Sequence, residues 1–137
     1  MVTKTAAHNP NAPDMRAFFN WGLKLRDLDE IFLITGRPAW DADGTVLHPD
    51  DAVSQTRFIL QDIAAYLEAN GYSKDDLIRI EYTFTKVVPA EQYEQIYGVF
   101  AEFLSDVEVK PAANTLRIVD SLGLPGLCVE YEFWAAK

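Results

Sequence analysis

The 137 residues spell out an α+β domain, a single mixed β-sheet with two helices on one face. Three observations lead there. The stretches Leu77 to Lys86 and Leu127 to Trp134 alternate side chains with the period of a strand. The stretches after Asp51 and after Pro89 repeat apolar residues at helical spacing. The resulting order, β, β, an optional third β, α, β, α, β, β, closes most simply into one sheet with both helices on the same side.

The first 14 residues, with Asn9-Pro-Asn-Ala-Pro13 and little periodicity, read as a flexible arm ahead of a domain spanning 15–137. Phe19, Trp21, Leu23 and Leu25 share a face of an extended segment, and the polar knot Arg26 to Glu30 turns the chain. Ile31 to Thr35 is continuously apolar and predicts a buried strand that stops at Gly36-Arg37-Pro38. Gly36 has no side chain, so backbone or ligand can come close there. Asp41 to Gly44 is a turn closing a hairpin.

Pro49-Asp50-Asp51 opens the first helix with an aspartate as cap. Val53, Ile59, Leu60, Ile63, Tyr66 and Leu67 form its stripe, and Asn70-Gly71 ends it. In the next strand Ile78, Ile80, Tyr82 and Phe84 oppose Arg79, Glu81, Thr83 and Thr85. Pro89 precedes a second helix whose stripe is aromatic: Tyr93, Ile96, Tyr97, Phe100, Phe103 and Leu104. Such a stripe is expected to be core. Asn114 to Val119 is a further strand, and Gly123 to Gly126 turns into the last one.

That last strand has two characters. Leu127, Val129, Tyr131 and Phe133 are greasy; Cys128, Glu130, Glu132 and Trp134 set two carboxylates beside a thiol and an indole. Together with Arg79, Glu81 and Arg117 they make a charged sheet face without helices. It is either a solvated face or the lining of a polar cavity or inter-subunit core, and periodicity alone leaves both open.

Composition narrows the class of function. The hydrophobic fraction of 49% argues for a folded chain. No apolar run approaches the ~20 residues of a membrane span, and no leader pattern opens the chain. A lone Cys128 cannot form an internal disulfide, which suits a reducing cytoplasm. A net charge of −9 opposes nucleic acid and anionic membranes. His8 and His48 are far apart, so no metal site, and no cofactor, is expected.

Several segments together resemble the Rid proteins (YjgF/YER057c/UK114). They are Ile34-Thr-Gly-Arg-Pro38, Gln55 to Gly71, Tyr97 to Leu104, Pro111-Ala112 and Val129-Glu-Tyr-Glu132. The resemblance covers about residues 18 to 136. It implies a chorismate-mutase-like fold and a cytoplasmic homotrimer, with sheets around the three-fold axis and small-molecule ligands in clefts between subunits. Known members hydrolyse enamines and imines such as 2-aminoacrylate. In them an arginine after the Pro-Ala pair grips the substrate carboxylate, and a glutamate of the last strand handles water.

On this pattern Glu132 is the catalytic glutamate and Gly36 the pocket glycine. Ala113 stands where the arginine would be, Thr115 where many members have cysteine, and Phe19, near Trp21, where they have tyrosine. Arg37 either replaces the lost arginine from the other wall or makes a surface or subunit ion pair; Asn114 could donate to a neutral carbonyl. For Glu132 the alternative is a structural pairing with Arg117 or Arg79. Cys128 has no histidine placed to activate it as a nucleophile. Two functions are therefore expected. One is a Rid-type enzyme using general acid–base chemistry, a non-standard enamine or imine hydrolase or a biosynthetic enzyme. The alternative is a non-catalytic trimeric ligand-binding or scaffold protein. RNA cleavage, also attached to the family, is disfavoured by the acidic balance.

Overall fold

A computed structural model describes residues 2–113 and 115–137. Strands β1 (Thr3–Ala7), β2 (Gly22–Arg26) and β3 (Ile31–Pro38) precede helix α1 (Ala52–Ala69). Then follow β4 (Leu77–Thr85), α2 (Tyr93–Phe103), β5 (Ala112–Ala113), β6 (Arg117–Val119) and β7 (Val129–Ala136). The main sheet runs β3-β7-β4-β5, with β6 also on β4. β7 is antiparallel to both neighbours, whereas β4 is parallel to β5 and β6, because α2 carries the chain back between them. This is the mixed α+β architecture expected.

The core follows the alternation. Ile80, Tyr82 and Phe84 of β4 and Val129, Tyr131 and Phe133 of β7 are buried with Ile59, Ile63 and Leu67 of α1 and Ile96 and Phe100 of α2. Helix α1 begins where Asp51 accepts hydrogen bonds from Ser54 N at 3.0 Å and Ser54 Oγ at 2.8 Å. These bonds hold the Asp51 carboxyl below the usual range. The helix ends at Asn70, after which Gly71 takes φ +81°. Buried Gln55 then ties α1 to the rest. Its Nε2 donates to the carbonyls of Leu47, His48 and Gly126 at 2.8–3.2 Å, and its Oε1 accepts from Cys128 N at 2.9 Å.

The structure departs from expectation in four places, each for a local reason. Within the arm expected over 1–14, β1 pairs antiparallel with β2. Lys4 Nζ fastens it to the domain by donating to the carbonyls of Leu77 and Val109 at 3.2 and 2.9 Å, and to that of Asp75. Strand β3 is not buried throughout: it forms one end of the sheet, and Ile31 and Leu33 are 50% and 63% exposed. The strand expected over 114–119 is instead the two short pieces β5 and β6, with position 114 outside the described residues. Finally, Cys128 precedes the first residue of β7 and is buried with the core rather than beside the carboxylates. Burial, with Asp50 and Asp51 nearby, pushes its thiol up, which suits a structural rather than a nucleophilic role.

Candidate functional site

The carboxylate-bearing face of the sheet is built by register. β4 and β7 place Glu81 directly opposite Glu132, and Thr83 opposite Glu130. Like charges in facing positions repel unless answered. Glu81 is answered twice: Arg79 Nη2 lies 3.4 Å and Arg117 Nη2 3.7 Å from its Oε1. The two arginines that could have been structural partners of Glu132 thus both turn to Glu81. Glu132 instead accepts a hydrogen bond from Trp134 Nε1 at 3.2 Å.

Glu130 occupies a different environment. It is half-buried, and its carboxylate rests against Gly36 of β3. A Cβ at position 36 would stand 2.9 Å from Glu130 Oε2 and 3.1 Å from its carboxyl carbon. A side chain there would push the flexible end of Glu130 aside, so the glycine is what allows this close contact. Burial, and next the charge of Glu132, push the Glu130 carboxyl above its usual range. The close approach that Gly36 permits is therefore made by a side chain of the same chain, Glu130. The sequence places Glu130 on the charged face beside Glu132 without giving it a role, and the pairing of β3 with β7 is what tells the two apart.

That pairing also redirects Arg37. The register of β3 on β7 shifts between Ile34 and Arg37, so that Arg37 pairs with Tyr131, a core-facing residue. Its side chain accordingly reaches the helix layer. Nε donates to Asp62 Oδ2 at 2.8 Å, Nη1 to the carbonyls of Pro38 and Trp40 at 3.1 and 3.0 Å, and the guanidinium stacks 5.3 Å from the Phe58 ring centroid. Of the two roles open to Arg37, the structure displays the surface ion pair.

Phe19 and Ala113 lie elsewhere. Ala113 pairs in parallel with Ile80, which puts it on the helix side of the sheet. Asn20 clamps the segment that leads into β5: its N donates to Pro111 O at 3.0 Å and its Nδ2 to Lys110 O at 2.7 Å. Phe19 and Ala113 thereby line a common cavity of about 730 Å³ under α2. Trp21 packs edge-on to Phe19 at 5.2 Å but is 45% exposed, with its indole N–H donated to Pro13 O at 2.7 Å. Thr115 is exposed, and Asn114 lies outside the described residues.

In one chain, then, two groups of site residues form at opposite ends of the sheet. Gly36 and the glutamates belong to the β3–β7 end, Ala113 and Phe19 to the β5 end. β3 and β5 are separated by β7 and β4, roughly 14 Å at ordinary strand spacing. Among the described residues no helix is long and apolar enough to cross a membrane.

A family model described as endoribonuclease L-PSP matches residues 10–137. Solved structures share the fold. A Rid-family protein, YyfB of Yersinia pestis, is 22% identical with a TM-score of 0.84, the match covering 98% of each chain. Rv2704 of Mycobacterium tuberculosis, described as a member of the YjgF/YER057c/UK114 family, is 19% identical with a TM-score of 0.63, covering 98% of this chain and 100% of that one. PA3499 of Pseudomonas aeruginosa is 27% identical with a TM-score of 0.64 over 99% and 94%.

Proposed function

Because the chain belongs to the endoribonuclease L-PSP family, that of the Rid proteins, we propose that it is a small-molecule enzyme using general acid–base chemistry in a cleft completed by a neighbouring copy. The observation that carries this reading is the contact of Gly36 with Glu130, a half-buried carboxyl pushed upward beside a second carboxylate. A carboxyl so placed holds its proton more tightly than an exposed glutamate does and is suited to deliver it.

The reaction suited to this pair is hydrolysis of an enamine or imine. Glu130 gives its proton to the enamine carbon or imine nitrogen, and the carbon–nitrogen bond becomes electrophilic. Water adds to the carbon that bears the nitrogen, losing a proton to the Glu130 carboxylate. That proton then goes to the nitrogen, the carbon–nitrogen bond breaks to release ammonia or an amine, and the carbinol hydroxyl returns its own proton to Glu130 as the carbonyl forms. Glu132, held by Trp134, is the neighbouring charge that keeps the Glu130 proton in place. Arg37 holds the Gly36 segment through Asp62. Phe19, with Trp21 behind it, Ala113 and Thr115 belong to the far wall, contributed by the adjoining copy of a homotrimer. Ala113 has no charge to grip a carboxylate, so the preferred substrate is less acidic than 2-aminoacrylate. RNA cleavage is not proposed, because a net charge of −9 repels a phosphate backbone.

The test compares wild type with Ala113→Arg on 2-aminoacrylate, each with and without Glu130→Gln or Glu132→Gln. Wild type is expected to be slow and Ala113→Arg at least tenfold faster. Glu130→Gln should lower the rate about a hundredfold or more, and Glu132→Gln less. Rapid turnover by wild type would refute the meaning given to Ala113, and an unchanged rate in Glu130→Gln would remove the acid. The missing donor at Ala113 also favours a second reading, a trimer that binds a ligand without converting it. A compound retained through purification and released unaltered would support that one.

A further inference from the structure

We propose that the cavity beneath α2 binds a neutral, planar aromatic compound. In the reading above this is the apolar portion of the substrate; its role as substrate rests on that reading, whereas the binding does not. At about 730 Å³ the space lies within the range of small-molecule sites. It is a cleft open to solvent on one side, where Ala90, Glu94 and Gly98 are exposed. Here two small residues on the wall keep the space open. Ala113 is one. Gly98 is the other, in the middle of α2, where glycine costs about 1 kcal/mol relative to alanine. Neither a positive φ nor a close neighbour requires it, since a Cβ there meets nothing within 4 Å.

The walls define the ligand. Phe18, Tyr82, Tyr93, Tyr97, Phe100 and Leu116 supply ring faces, ring edges and one aliphatic side. Tyr82 stands edge-on to Phe100 at 4.8 Å and to Tyr97 at 6.3 Å, and Phe18 edge-on to Tyr97 at 6.5 Å. A flat ring inserted among them gains both stacked and edge contacts. No lysine or arginine is among the described residues lining the space, and the carboxylate there is Glu94. An anion would lose its hydration without an answering charge. The hydroxyls of Tyr93 and Tyr97 can serve one polar group.

Two fluorescent probes that share an aryl-naphthylamine skeleton test this in the full chain. N-phenyl-1-naphthylamine is neutral, and 8-anilino-1-naphthalenesulfonate carries a sulfonate. The neutral probe should bind saturably at one site per chain, at least tenfold more tightly than the sulfonate. Gly98→Leu, which fills the space with a better helix former, should weaken the neutral probe at least tenfold without lowering Tm. Ala113→Arg should reverse the preference between probes. Both probes report binding without turnover, so their affinities test this site apart from the acid–base chemistry. Absence of saturable binding, equal affinity for both probes, or full affinity in folded Gly98→Leu would each overturn the proposal.

Discussion

Glu130 shows how one residue's setting suits it to the chemistry proposed. Its carboxyl is raised in the folded chain, so the native state binds its proton more tightly than the unfolded chain does. Native stability from this group is therefore greatest at acid pH and falls as pH rises through the carboxyl range. Glu130→Gln removes that penalty. The variant should resist urea better than wild type at pH 7, and the difference should vanish towards pH 4. Gain of stability with loss of turnover is the signature of a group kept for chemistry; a destabilised variant at pH 7 would mark it as structural. The sequence made Gly36 legible, because a missing side chain is visible in one letter. It could not separate Glu130 from Glu132, nor show which way Arg37 turns. Both depend on the one-residue shift between β3 and β7.

Caps and periodicity governed what was readable at the level of elements. Asp51, Asn70 and Gly71 mark the ends of α1 in single letters, and β4 announces itself by alternation. β1 has no such signal: Thr3 to Ala7 lacks an apolar face, and the strand depends on pairing with β2 and on Lys4 reaching carbonyls far along the chain. The aromatic stripe of α2 also read only in part. Ile96 and Phe100 are core, while Tyr93 and Tyr97 line the cavity. Two substitutions in α1 should rank by what they leave unsatisfied. Asp51→Ala loses an exposed cap and should cost about 1 kcal/mol. Gln55→Ala strands several buried backbone groups and should cost about 3 kcal/mol. Urea titrations at constant m-value would measure both; equal losses would refute the linking role given to Gln55.

For the whole molecule, the exposed side chains of β3 connect fold to function. Leu33 is 63% and Ile31 50% exposed on a strand with one open edge, which natural sheets ordinarily cover or charge. If copies assemble there, Gly36 and Glu130 of one chain can meet the Phe19–Ala113 wall of the next. Sedimentation at micromolar concentration should find a species three times the 15.4 kDa chain. Leu33→Lys should shift it to the single chain while leaving far-ultraviolet circular dichroism intact, since little of Leu33 is buried within one chain. A wild-type monomer would dissolve the shared cleft and, with it, the proposed chemistry. Nothing in one chain's letters states which edges meet.

The position of β7 has one more consequence. It follows β3 and β4 in the chain, yet it lies between them and hydrogen-bonds to both. A nascent chain that has reached residue 128 carries β3 and β4 with no strand between them to join them. The ribosome therefore releases the main sheet's parts before they can lock, and their greasy faces wait in solution until the closing strand arrives.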